Sequence, residues 1–302
     1  MVGRLLDDPH ALGGTGVLRD PALRALVLWH IEELAAGDAL APYGGSLELF
    51  LADHPGRGPL YAQVPRWVNR VAVDGVERTR VEVHVAGLQA ADPALTVGAD
   101  PTPAERARVQ DYAERLRTAL QPAVDRALCE ITTAVRGGAD GPVTYSSRVE
   151  DAAGLIDRVA RLSRGRGHTP GRPGYRVGDI LDAVSARITV PDTVSLWRAL
   201  ELVSERFGVG DGGRILKVRN MYASPEPEHP QRRAIPLTIG IDADGRRYAF
   251  ELRLATLRAS IAADIEHHSL YNPSVAISAA EAEAVRRASR EAAARDQLED
   301  VP

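Results

Sequence analysis

Alternation of apolar and polar residues predicts the strands in the second half of the chain. Residues 247–254 read RYAFELRL, with an apolar residue at every second position, which is the period of a strand with one buried face. A second run, 234–241, precedes it, and Asp242–Gly245 between the two is typical of a hairpin turn. Pro236 predicts an edge position or a bulge for its strand, because proline donates no ladder hydrogen bond. Two further strands are predicted at 183–190 and 214–222.

Apolar residues at helical spacing predict the helices around these strands. The predicted segments are 104–136 with a kink at Pro122, 150–163, a helix that starts at Asp192 or Thr193 and ends before Gly208, 257–271, and a last helix with a Ser278–Glu281 capping box. The helix before Gly208 has its buried stripe at Leu196, Leu200, Val203 and Phe207. From residue 150 to residue 271 the order α-β-α-β-β-β-α favours an α/β (α+β) fold, a mixed β-sheet flanked by helices.

Loop-like residues place a domain boundary near residue 100. The expected organisation is a small N-terminal α+β region of unknown role at 1–100, a sheet-containing domain at 101–277 and a C-terminal helix at 278–302. The first region has a helical pattern at 21–36 and a hairpin pattern at 67–85.

Composition narrows the classes of function. The net charge of the 302 residues is −4, so bulk attraction to nucleic acid or membranes is not indicated. Cys129 is the only cysteine, which excludes a disulfide within the chain. No apolar run is long enough to span a bilayer, and the N-terminus lacks the apolar core of a signal peptide. We therefore expect a reducing, cytoplasmic location and no membrane partner.

Charged residues, rather than a standard signature, carry the candidate chemistry. The sequence contains no Walker loop, HExxH, CxxC pair or GxSxG. Arg158 and Arg161 are three residues apart on one helix face, and Arg148 precedes Arg158 by ten residues, nearly three turns if the helix begins early enough. Such a stripe can hold a polyphosphate. Because Lys217 is the only lysine, arginine supplies almost all of the basic charge everywhere in the chain.

Four segments carry these charges in order along the chain: RVEDAAGLIDRVAR (148–161), DAVSARI (182–188), ELRLAT (251–256) and EHHSLYN (266–272). Over roughly residues 130–275 the sequence resembles the RelA/SpoT-type alarmone synthetases, which transfer pyrophosphate from ATP to the 3′-hydroxyl of a guanine nucleotide. The family patterns are R-x-K-x-x-x-S-x-x-x-K-x-x-R on a first helix, D-I-x-G-x-R-I and E-x-Q-x-R-T on strands, and E-H-x-x-x-Y-K on a helix. The matched residues are Arg148, Arg158, Arg161, Asp182, Arg187, Glu251, Thr256, Glu266, His267 and Tyr271.

The resemblance implies a nucleotidyltransferase-like synthetase domain that uses Mg²⁺ with ATP as donor. It implies that Asp182 and Glu251 hold the metal and that Glu251 is also the base for the acceptor hydroxyl. The donor would be held by Arg148, Arg158, Arg161 and Arg187. The residues expected to bind the acceptor are Arg233, Arg253 and His267.

Departures from the family pattern fall mainly on the acceptor side. Glu150 stands where the family has lysine, and Gly154 replaces the serine. Arg232 stands at the position of the tyrosine that stacks on guanine, Arg253 replaces the glutamine and Ala255 the arginine. The acceptor is therefore open: a guanine nucleotide, an adenine nucleotide, or the 3′ end of a tRNA as in toxic members of the family.

Other interpretations stay open. Glu251 on an alternating strand is equally typical of a solvated face, and Arg158 with Arg161 is typical of an exposed helix face paired with Glu150 or Asp157. The fold can also serve as a nucleotide-binding module without turnover. If the chain is a toxin, residues 1–100 can bind a neutralising protein partner, and a homo-oligomer is a further option.

Overall fold

The computed structural model describes residues 97, 100–166, 169–170, 174–208, 213–222, 232–267, 270 and 278–299. The predicted N-terminal region, with its helix at 21–36 and hairpin at 67–85, lies outside the described residues, as does Tyr271. The domain boundary near residue 100 therefore stays a prediction.

A mixed five-stranded sheet is the centre of the described fold. Its strands are β1 (Thr144–Val149), β4 (Val184–Val190), β5 (Ile215–Val218), β6 (Ile235–Ala243) and β7 (Arg246–Thr256), while β2 (Gly165–Arg166) and β3 (Thr169–Pro170) form a separate short hairpin. The order in the sheet is β1-β4-β7-β6-β5. The central pair β4–β7 is parallel and every other neighbouring pair is antiparallel. The predicted mixed sheet is confirmed.

Helices cover both faces of this sheet. They are α1 (Pro103–Arg115), α2 (Gln121–Arg136), α3 (Ala152–Arg164), α4 (Thr193–Phe207), α5 (Leu257–Glu266) and α6 (Ala279–Glu299). Helices α2 and α4 pack on the apolar face, where Phe207 meets Phe250 edge to face. Helix α5 lies over the polar face, and α6 packs on α5. Helix α5 therefore borders the polar face of the sheet and can position side chains on it.

Local sequence explains how α4 begins and ends and how α6 begins. The Asp192 side chain accepts a hydrogen bond from Ser195 N–H at 2.6 Å, and Gly208 ends α4 with φ of 73°, a conformation that favours glycine. The predicted buried stripe of α4 is confirmed. The Ser278–Glu281 capping box before α6 is also formed.

Two prolines were predicted to interrupt regular structure. The edge position predicted from Pro236 is wrong, because β6 lies between β7 and β5, but the pairing of β6 with β5 does contain a register shift, between Ile215 and Lys217 of β5. The ladder to β5 ends at the pair Val218–Leu237, so no ladder bond is required of the proline nitrogen. Pro122 lies in the first turn of α2, directly after a π-helical turn at Leu116–Leu120, and a kink at this point stays a prediction.

Arg148 does not lie on the helix with Arg158. It lies on β1, an edge strand that the sequence pattern did not reveal. Helix α3 begins at Ala152 rather than at residue 150.

Candidate functional site

Register across the sheet aligns five polar side chains in one row. Arg148 pairs with Ser185, Ser185 with Glu251, Glu251 with Thr238, and Thr238 with Lys217. Because paired residues of neighbouring strands project from the same face, these side chains share the polar face. Arg148 Nε donates to Ser185 Oγ at 3.0 Å. The row brings Arg148 and Glu251, predicted from separate motifs, onto one surface.

Arg187 lies on β4, two residues after Ser185 on the same face, and it forms hydrogen bonds with two side chains of α5. One terminal nitrogen of Arg187 donates to Ser260 Oγ at 2.9 Å and to Asp264 Oδ2 at 2.6 Å, and the other donates to Asp264 Oδ1 at 2.8 Å. Burial alone would lower the pKa of Arg187, but the hydrogen bonds and charge of Asp264 outweigh it and raise that pKa. Arg187 therefore stays charged and anchors α5 to β4.

Arg158 connects the ends of β1 and β4. Glu150 follows β1, and its N–H donates to Ala183 O at 2.9 Å. One terminal nitrogen of Arg158 donates to Glu150 Oε2 at 3.0 Å, and the other forms an ion pair with Asp182 Oδ2. The hydrogen bonds and charges of these two carboxylates raise the pKa of Arg158 against the lowering effect of its burial. All three side chains are 27–30% exposed, so solvent and ligands reach them.

Glu251 lies on β7 and Asp182 lies two residues before the neighbouring strand β4, and the two carboxylates have different partners. Glu251 Oε1 accepts from Arg253 Nε at 2.7 Å, and the Glu251 side chain is 23% exposed. Glu251 is opposite Ser185, which follows Asp182 by three residues, so the Cα atoms of Asp182 and Ser185 are at most about 11 Å apart. Neither carboxylate is deeply buried, and side-chain rotation changes their separation.

The donor set fits a magnesium ion that also binds phosphate. Mg²⁺ takes one or two carboxylates and completes its shell with phosphate oxygens and water. Among the described residues, Asp182 Oδ1 and Glu251 Oε2 accept no hydrogen bond, so each carboxylate keeps an oxygen for a cation. The described part of the chain contains no group of three or more His, Cys, Asp or Glu side chains that could hold a metal by themselves.

The remaining predicted residues are more dispersed. Arg161 is exposed on α3, and Arg253 is exposed on β7. His267 is exposed directly after α5. Arg233 is different, since it is 3% exposed and lies close enough to Tyr222 to lower the pKa of its phenol in part. A role for Arg233 in acceptor binding stays a prediction.

Sequence reasoning missed the polar face of α5. Ser260 and Asp264 are four residues apart and so lie on one side of the helix, where both contact Arg187. That spacing was visible in the sequence, but the contact with Arg187 spans more than 70 residues and becomes visible only once α5 is placed over β4.

Comparison with solved structures finds similar proteins of one class. Small alarmone synthetase 2 from Bacillus subtilis has 17% identity over 59% of this chain and 89% of its own, with a TM-score of 0.44. Small alarmone synthetase 1 from Bacillus subtilis bound to pppGpp has 18% identity over 61% and 93%, with a TM-score of 0.45. A GTP pyrophosphokinase family protein from Streptococcus pneumoniae has 16% identity over 62% and 90%, with a TM-score of 0.44.

These proteins are of the class that the four sequence motifs resemble. No protein-family model and no curated protein sequence matches this chain. Within the described residues, no helix combines the length and apolar character that crossing a membrane requires. At TM-scores below 0.5 the likeness assigns no activity to this chain, so a function has to be argued from its own residues.

Proposed function

We propose that this chain transfers pyrophosphate from ATP to the 3′-hydroxyl of a nucleotide in the presence of Mg²⁺. The observation that supports it is the parallel pairing of β4 with β7, in register at Ser185 and Glu251. This pairing puts two motif segments, 182–188 and 251–256, side by side. Arg148 lies in the same row, and Arg158 contacts Asp182. Residues far apart in sequence thus surround one exposed polar face.

The donor side of this face is built from cations on α3 and β1. Arg158, Arg161 and Arg148 are suited to hold the phosphates of ATP, because guanidinium groups bind phosphate oxygens in pairs. Asp182 and Glu251 would hold the magnesium ion, which when bound neutralises phosphate charge. Arg187 is held by Asp264 and would position α5 beside the site.

The proposed reaction forms one bond and breaks one. The acceptor 3′-oxygen bonds to the β-phosphorus of ATP, and the bond from that phosphorus to the oxygen bridging the α-phosphate breaks. AMP leaves with the bridging oxygen, and the acceptor carries the pyrophosphate. Glu251 would accept the hydroxyl proton, since it is the half-buried carboxylate in the middle of the polar row. Arg253 and His267, both exposed, would face the acceptor.

A second candidate is a module that binds nucleotides without turnover. The observation that favours it is that the carboxylates and arginines of the face are already paired with each other. Arg158 contacts Glu150 and Asp182, and Glu251 contacts Arg253. A ligand has to displace these contacts before it meets Arg158 or Arg253.

AMP release tests the proposal directly. The full chain is incubated with labelled ATP, Mg²⁺ and one acceptor at a time: GDP, GTP, ADP or deacylated tRNA. We expect AMP in equal amount to a pyrophosphorylated acceptor, and Glu251→Gln should reduce the rate at least about 100-fold, the usual contribution of a general base.

The matched control is Glu201→Gln. Glu201 is an exposed carboxylate that contacts Arg198 on α4. Helix α4 packs on the apolar face of the sheet, so Glu201 lies on the opposite side from the polar face. This variant should keep the wild-type rate. AMP formation at the same rate by wild type and Glu251→Gln contradicts the proposal, whereas nucleotide binding by calorimetry without AMP supports the binding module. Growth arrest on expression, relieved by Glu251→Gln, would identify a toxic enzyme.

A further inference from the structure

Glu150 lies against a helix position that has no side chain. A Cβ built on Gly154 would be 3.0 Å from both Cγ and Oε1 of Glu150 and 3.3 Å from Asp151 Oδ1. Glycine within a helix is less favourable than alanine by about 1 kcal/mol, but here its bare backbone leaves room for the Glu150 side chain. The Glu150 side chain therefore occupies space that a side chain at position 154 would crowd, and both residues are departures from the family pattern.

From this position Glu150 reaches Arg158. Glu150 Oε2 accepts a hydrogen bond from one terminal nitrogen of Arg158, while Asp182 pairs with the other. A phosphate group binds arginine through these same terminal N–H groups. A phosphate on Arg158 and the carboxylate of Glu150 consequently compete for one cation.

We propose that Glu150 is an internal competitor of the donor phosphates for Arg158, and that Gly154 makes its position possible. This inference rests on the proposed donor site at Arg158. The cluster of Glu150, Asp182 and Arg158 has two carboxylates and one guanidinium, a formal charge of minus one. It therefore repels a polyphosphate unless one carboxylate withdraws. Glu150 determines how strongly Arg158 can hold a phosphate.

The test measures binding without requiring catalysis. Calorimetry with inorganic tripolyphosphate, and separately with ATP, is carried out on the full chain without acceptor at about 0.15 M salt. Glu150→Gln removes the charge and keeps the shape of the side chain. Because a partly exposed ion pair contributes at most about 1 kcal/mol, we expect both ligands to bind more tightly, by up to about fivefold.

Asp157→Asn is the control for long-range charge effects. Asp157 is exposed on the same helix, so its neutralisation removes one negative charge nearby without touching Arg158. We expect a change of less than about twofold. Gly154→Ala should displace Glu150 and tighten binding by a smaller factor, and it should have no further effect in the Glu150→Gln background, because the two changes act through one contact.

The outcomes separate this inference from the proposed function. Unchanged or weaker binding by Glu150→Gln, an equal effect of Asp157→Asn, or no binding of tripolyphosphate by either protein would overturn the inference. AMP release by the wild type together with any of these results leaves the proposed function in place. If Glu150→Gln binds both ligands more tightly but no variant releases AMP, the proposed pyrophosphate transfer is contradicted, whereas the competition between Glu150 and phosphate for Arg158 is supported.

Discussion

Asp296 is a fully buried carboxylate that connects the C-terminal helix to the strand of Glu251. It is 0% exposed on α6. Its Oδ2 accepts a hydrogen bond from Thr256 Oγ1 at 2.7 Å, and its Oδ1 is 3.4 Å from a terminal nitrogen of Arg258. Thr256 ends β7 and also caps α5 by accepting from Ala259 N–H at 3.1 Å. We expect Asp296→Leu to destabilise the whole domain.

The size of the effect follows from burial. Arg258 is 8% exposed, and removing the carboxylate of a buried ion pair costs about 3–5 kcal/mol because a buried charge loses its counter-charge. The buried Thr256 hydroxyl loses its acceptor as well, which adds about 1 kcal/mol. The expected loss of about 4–6 kcal/mol is a large fraction of the total stability of a domain, about 5–15 kcal/mol.

Urea unfolding followed by helical circular dichroism measures this loss. Arg258→Met alone should be destabilising too, and Asp296→Leu combined with Arg258→Met should cost less than the sum of the two single changes, since the double variant leaves neither charge of this ion pair behind. Glu283→Gln is the control on the same helix, because Glu283 forms an exposed ion pair with Arg290, and it should change stability by less than about 0.5 kcal/mol. A loss below about 1 kcal/mol in Asp296→Leu would refute the reasoning.

Two further predictions concern stability. Burial, followed by the charge of Asp296, raises the pKa of the Tyr222 phenol; a phenol in the unfolded chain ionises near pH 10, so stability should fall above about pH 10 with a slope of up to ~1.4 kcal/mol per pH unit. In urea unfolding at pH 9 to 11, the free energy of unfolding of Tyr222→Phe should fall less with pH than that of the wild type. Identical slopes for the two proteins would contradict the role given to the Tyr222 phenol. Asp192→Ala removes the α4 cap and should cost about 1 kcal/mol in the same assay, whereas a neutral result would mean that solvent replaces the cap.

The sequence predicted the elements whose signals are local. The alternation at 247–254, the capping residue Asp192 and the Ser278–Glu281 box each depend on neighbours within a few residues, and all three occur as expected. Strand β1 was missed because it is an edge strand whose residues are mostly exposed or half-exposed, so TYSSRV has no apolar face to alternate. Arg148 was consequently assigned to a helix.

The candidate site was predictable in its residue types but not in its contacts. Motif spacing placed Asp182 before one strand and Glu251 on another, but the register of Ser185 with Glu251 depends on how the two strands pair. The hydrogen bond from Arg187 to Asp264 joins β4 to α5, and the hydrogen bond from Arg158 to Glu150 joins α3 to the residue after β1. No pattern within one segment contains that information.

The mutual pairing of charges has a consequence for how ligands would bind to this face. If a phosphate binds Arg158, Asp182 loses its ion pair with Arg158 and can bind a divalent ion instead. If a divalent ion takes Asp182, one terminal nitrogen of Arg158 becomes accessible to phosphate. Each ligand thus lowers the cost of binding the other, and thermodynamic linkage requires this coupling to be equal in both directions. The proposed donor and its metal are therefore expected to bind cooperatively, through an exchange of ion-pair partners around Arg158.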